Sequence, residues 1–218
     1  MIEKSHHDLT GVPFDEFVKF IFSQPVPASE KSEPWYWHVQ TTFEPNEIID
    51  HYVKLFREPD FLLTQFMKAE LEQGFWAIQS CNLDCAVAQL IWMTEIPQTS
   101  REQCVRSMFH LFEKLFSVES LETSVQMWWD SLCYDWHCGN RRRSNGGEDE
   151  SMQDVMFETL ARLLELGSPE CQGAALHGLG HLHHPETESL ITKYIAAHPE
   201  MTSEWKHYAL AAAKFEVM

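Results

Sequence analysis

Ser168-Pro169-Glu170-Cys171-Gln172-Gly173-Ala174-Ala175-Leu176-His177-Gly178-Leu179-Gly180-His181-Leu182-His183-His184-Pro185-Glu186 is the stretch on which the fold is read. Ser168 supplies a side-chain oxygen that can cap a helix, and Pro169 suits the first helical position, where no backbone N–H is needed. Ala174, Ala175, Gly178 and Gly180 keep one helix slim enough for close packing. A tight turn follows, and Pro185 opens a second helix. Helix, turn and helix with small residues at the contact is the pattern of a helical-repeat scaffold, which works by presenting a surface.

Outward from this stretch, apolar residues keep a helical rhythm over 152–166, 168–182, 185–197 and 203–217. Laying Met108-Phe109 over Met156-Phe157 gives an offset of 48 residues (156 less 108). It also pairs Lys114 with Arg162, Leu115 with Leu163, Ser120 with Ser168 and Glu122 with Glu170. That spacing is close to one two-helix solenoid repeat.

Leu179-Gly180-His181-Leu182-His183-His184-Pro185-Glu186, preceded by Ala174-Ala175, resembles the HEAT repeat, in the variety found in phycobilin-lyase-like proteins. The resemblance covers the C-terminal part only. It implies an α-solenoid with mostly protein-binding roles and brings no specific activity. The expected organisation is one all-helical domain over 1–218, with a divergent N-terminal part over 1–98 and HEAT-like helix pairs over 99–218.

The N-terminal part is more aromatic. Phe14, Phe17, Val18, Phe20, Ile21 and Phe22 predict a first amphipathic helix. A proline-containing loop with Trp35-Tyr36-Trp37 follows. Pro45 opens a helix with Ile48, Ile49, Tyr52, Val53 and Phe56 on its apolar face. Pro59 restarts the chain, and Asn82 can cap a helix through Met93. Thr99-Ser100-Arg101-Glu102 offers a capping box, and a partner helix is expected over 121–136. The segment 137–151 changes abruptly from Arg141-Arg142-Arg143 to Glu148-Asp149-Glu150 around a Gly pair, and is expected as a mobile surface loop. No strand pattern of useful length stands out.

The chain is 44% hydrophobic, which is enough for a sizeable core. Its 33 acidic and 16 basic residues give a formal charge of −17, which argues against a nucleic-acid backbone as ligand and is read first as a surface that keeps the protein in solution, with a basic protein partner as the alternative. The first seven residues hold no apolar core of a secretory signal, and no window is apolar enough to span a membrane. The six cysteines are therefore expected as reduced thiols in the cytoplasm.

Three groups of residues invite a chemical role. His177, His181 and His184 stand at i, i+4 and i+7, and the i, i+4 pair is a metal-ligand spacing. Gly178 replaces the Glu of the zinc-protease motif, and the His-Glu pairs of iron-binding HEAT-like hydroxylases are missing. In the HEAT register His177 and His181 fall on exposed positions, so they are expected as surface histidines, with metal binding kept as the alternative. Trp35-Tyr36-Trp37 is expected to fold over the apolar face of the first helices as a cap, with a binding anchor as the alternative, and Trp128-Trp129 is a second candidate anchor. Adjacent helical positions point about 100° apart, so one of Trp128 and Trp129 should face away from the core. Arg141, Arg142 and Arg143 form the one dense cationic spot. There is no CxxC pair, no phosphate-binding Gly loop after a strand and no nucleophile elbow.

The expectation is an all-α, irregular HEAT-like α-solenoid, a right-handed superhelix of antiparallel helix pairs with about nine to eleven helices. Its expected role is a non-catalytic protein-binding scaffold, in concrete form an inhibitor or immunity protein that covers the cationic cleft of a toxin or nuclease. No cofactor, nucleic acid or membrane is expected. The alternative is a metal-binding or enzymatic protein that uses the three histidines.

Overall fold

The computed structural model describes residues 4–27, 32–121 and 123–217. Glu122, matched above to Glu170, and Met1 to Glu3 of the N-terminal segment lie outside the described residues. The fold is all-α apart from two short strands. It divides into two compact units, Met1–Ser124 and Val125–Met218. No described helix is long and apolar enough to cross a membrane, and no disulfide links the six cysteines.

In the N-terminal unit, α1 (Phe14–Phe22) buries Phe17, Val18, Phe20, Ile21 and Phe22. Helix α2 (Pro45–Arg57) starts on Pro45 and buries Ile48, Ile49, Tyr52, Leu55 and Phe56, a stripe at helical spacing. After the single turn α3 (Leu62–Gln65) comes α4 (Lys68–Gln79), which packs on α1. Helix α6 (Gln98–Leu111) lies against α2 and runs into one wide π-turn at Phe112–Phe116. Aromatic rings fill the space between. Phe17 meets Tyr52 edge-on at 5.2 Å, Phe22 meets Phe75 at 5.1 Å, and Phe75 meets Phe116 at 4.9 Å. Such edge-to-face pairs add about 0.5–1.5 kcal/mol beyond their buried area.

Three expectations for this unit are corrected. Strands β1 (Ser5–Asp8) and β2 (Val39–Thr42) pair in parallel, Ser5 with Val39 through Asp8 with Thr42. Backbone bonds hold them, with Leu9 N–H donating to Thr42 O at 2.7 Å and Ser5 N–H to His38 O at 2.8 Å. Ser5-His6-His7-Asp8 carries no apolar alternation, so pattern could not reveal the pair. The stretch from Asn82 to Met93 forms only the single turn α5 (Val87–Leu90), flanked by tight turns. Helix α6 begins one residue before Thr99. The Pro97 carbonyl accepts the first N–H groups, which places Thr99 inside the helix rather than at its cap.

In the C-terminal unit, α9 (Pro169–Leu182) packs against α7 (Asp130–His137), α8 (Gly147–Leu163) and α11 (Ser203–Ala213), while α10 (Thr187–Ala197) packs on α11. Ser168 Oγ accepts from Cys171 N–H at 3.3 Å, and Pro169 occupies the first turn. From Ala174 to Leu182 every residue of α9 is buried. A helix enclosed on this many sides must be thin. A Cβ on Gly178 would stand 2.7 Å from Trp129 Cβ and 2.8 Å from Leu160 Cδ2, and one on Gly180 would run into Val217. Helix α9 ends at His183, whose left-handed backbone (φ 55°) turns the chain and stacks its ring on Phe215.

The segment 137–151 is more structured than a loop. It holds a 3₁₀ turn at Arg143–Asn145, and α8 already starts at Gly147, with Glu148, Asp149 and Glu150 in its first turn. There the carboxylates meet the positive end of the helix dipole.

Candidate functional site

Helix α7 carries Asp130, Tyr134 and His137 at i, i+4 and i+7, one face of the helix. Helix α9 carries His177 and His181 one turn apart, and the two helices pack together. His177 Nε2 lies 2.7 Å from Asp130 Oδ1, and His181 Nε2 lies 3.2 Å from the same oxygen. The two Nε2 atoms are 3.2 Å apart. Behind them, His177 Nδ1 meets Tyr208 Oη of α11 at 2.9 Å. His181 Nδ1 is buried with no hydrogen-bond partner. The His137 ring stands edge-on to His181 at 4.7 Å and continues to His183, with Nδ1 and Nε2 3.3 Å apart.

Burial drives the Asp130 carboxyl up. The hydrogen bonds from His177 and His181 outweigh that push and hold it well below the usual carboxylate range. Tyr208 is pushed up to about 12, by burial and then by the Asp130 charge, so its hydroxyl keeps its proton at neutral pH. A cavity of about 360 Å³ borders the cluster, lined by Gln126, Met127, Glu170, Gly173, His177, Trp205 and Tyr208. Asp130, His177 and His181 are the one group of three metal-ligating side chains that converges among the described residues.

Each expected site residue has a definite place. His177 and His181 are 7% and 4% exposed, not surface residues, because α9 is enclosed by α7, α8 and α11. His184 is buried too, but it leaves the cluster: the left-handed turn at His183 breaks the helical spacing, and His184 stacks on Phe157 and bonds Asp154 at 2.9 Å. Trp128 and Trp129 are both fully buried. They precede the start of α7 at Asp130, so the 100° argument for helical neighbours does not apply to them. Of the other aromatic run, Tyr36 is buried and Trp35 packs edge-on against Phe20, while Trp37 is 45% exposed. Arg141 pairs with Asp135 and Asp149, and Arg143 with Glu150 and Asp154; Arg142 is exposed. Asp130 and Tyr208 escaped notice in the sequence because they stand 47 and 31 residues from His177. The spacing of Asp130, Tyr134 and His137 was the available signal.

Comparison with protein-family models, with curated proteins and with solved structures found no match to this chain.

Proposed function

We propose that the chain is an acidic protein-binding scaffold that takes a basic protein partner, in its most concrete form an inhibitor or immunity protein that covers the cationic cleft of a toxin or nuclease. The observation that carries this is the pairing of Arg141 and Arg143 with four carboxylates of their own unit. Two of the three arginines in the densest run of positive charge are thereby neutralised locally, and the net charge of −17 is left to act on a partner. Such a field speeds encounter and disfavours acidic competitors more than it adds affinity.

The N-terminal unit offers an apolar foothold. A hollow of about 420 Å³ is lined chiefly by Val26, Pro27, Pro34, Tyr36, Ala69 and Trp76. Trp37, next to it in sequence, supplies an exposed indole of the kind that anchors interfaces. The finer architecture belongs to the same proposal: an irregular HEAT-like stack, to which the consecutive contacts of α8 with α9 and α10 with α11 contribute.

The test is capture of partners from the host lysate at 0.1 M and 1 M salt, where the screening length falls from about 10 Å to about 3 Å. A stoichiometric basic protein retained at the lower salt, released at the higher and weakened by Trp37→Ala supports the proposal. Retention that ignores salt, or no stoichiometric protein at either salt, refutes it.

A further inference from the structure

We infer that Asp130, His177 and His181 form a binding site for one divalent first-row transition-metal ion, of the zinc, cobalt or iron(II) class. The inference stands apart from the binding of any protein partner.

Geometry is the first support. Ligand atoms about 2.1 Å from a shared ion stand about 3.0 Å apart around an octahedral centre and about 3.4 Å apart around a tetrahedral one. The three edges here are 2.7, 3.2 and 3.2 Å. The triangle is therefore already the size of one face of a coordination shell.

Hydrogen bookkeeping is the second. A ring N–H can point at only one neighbour. If both Nε2 atoms carry hydrogen and donate to Asp130 Oδ1, the two nitrogens are left 3.2 Å apart with no hydrogen bond between them. If His181 Nε2 is bare, its lone pair faces the Asp130 oxygen at 3.2 Å; if His177 Nε2 is bare, it faces that oxygen at 2.7 Å. No placement of hydrogens turns all three contacts into hydrogen bonds, whereas a cation at their centre would be ligated by all three atoms at once.

The surroundings are the third. Tyr208 Oη at His177 Nδ1 can hold the hydrogen on that nitrogen, leaving Nε2 as the donor, which is how outer groups orient metal-bound imidazoles. Two imidazoles and one carboxylate suit transition metals rather than calcium or magnesium, which favour oxygen ligands. Three protein ligands leave the remaining positions to water. His177 and His181 have the spacing of the zinc-protease pair, but Gly178 stands where that motif has its general base, and the third ligand here comes from α7 rather than from the helix that carries the histidines.

The test uses the full-length protein, stripped with chelator, incubated separately with Zn²⁺, Co²⁺ and Fe²⁺ (the last without oxygen), and desalted before metal analysis. One equivalent of at least one ion is expected. Asp130→Asn and His181→Gln should each lower affinity at least tenfold with the circular-dichroism spectrum unchanged. His184→Gln should retain the full equivalent, and Tyr208→Phe should weaken binding by about 10- to 100-fold. With Co²⁺, visible d–d absorption should appear in the wild type and vanish in His181→Gln. If His181→Gln fails to fold, the cobalt spectrum of the wild type and the retention by His184→Gln decide. Folded wild-type protein that holds no ion, or Asp130→Asn and His181→Gln variants that bind as tightly as the wild type, would overturn the inference.

Discussion

In the N-terminal unit, several buried polar side chains are tied to backbone. Tyr52 Oη donates to Cys85 O, the Arg101 guanidinium donates to Ile96 O and Ile91 O, and Gln79 donates to Phe75 O and Ser124 O. In the C-terminal unit, Asp130, His177, His181 and Tyr208 are tied to one another across three helices. The first arrangement fastens turns and helix ends to an aromatic core. The second gathers titratable groups where apolar ones would pack more simply; it leaves His181 Nδ1 without a hydrogen-bond partner, as the first leaves Gln73 Oε1 and Gln79 Oε1. A buried polar group without a partner costs about 1–3 kcal/mol. The difference teaches that the N-terminal core uses these buried polar groups to fasten backbone, whereas the centre of the C-terminal unit gathers side chains of metal-ligating type around one point.

The comparison can be broken by substitution. The largest effect is expected for Phe75→Ala, which removes a ring shared by Phe22 and Phe116 and should cost about 3–5 kcal/mol in denaturant unfolding. A loss under about 1 kcal/mol would mean that the aromatic core is not packed as described. Next comes Gly178→Ala, whose new methyl meets Trp129 and Leu160. It should destabilise by about 1–3 kcal/mol, although alanine is the better helix former. Stabilisation would show that α9 has room to spare.

The helical pattern told much of this in advance. Phe14 to Phe22, the Pro45 start of α2 and the Ser168-Pro169 start of α9 were readable because caps and periodicity are local signals. The small residues of α9 announced close packing correctly, yet a slim helix enclosed by three others also buries its histidines, and the repeat register placed them outside. The β1–β2 pair rests on backbone bonds between residues 33 apart, such as Ser5 N–H to His38 O, and so leaves no trace in side-chain pattern. The site was half legible: His177 and His181 showed as a ligand spacing, while Asp130 and Tyr208 reach it only through the packing of α7 and α11 on α9.

Two smaller effects sharpen the contrast. Asp154 is held below the usual carboxylate range chiefly by the Arg143 hydrogen bond. A lowered folded-state pKa contributes stability that is fully present above the unfolded value near 3.8 and is lost as pH falls through the folded value. Arg143→Ala should therefore melt at a lower temperature at pH 7 and lose less on acidification from pH 4 downward. Parallel melting curves for the two proteins below pH 4 would show that this pair does not set the acid limb. The smallest effect on stability belongs to Trp37→Ala, within about 0.5 kcal/mol, because the indole is exposed. A larger loss would place Trp37 in the core and remove it as a candidate anchor.

The polar centre of the C-terminal unit is either a site or an accident of packing. The most direct measurement is anomalous diffraction at the metal edge from crystals of protein loaded with zinc or cobalt. One strong peak is expected at about 2.1 Å from Asp130 Oδ1, His177 Nε2 and His181 Nε2, with none beside His184. A fully ordered protein with no peak between α7 and α9 would contradict it.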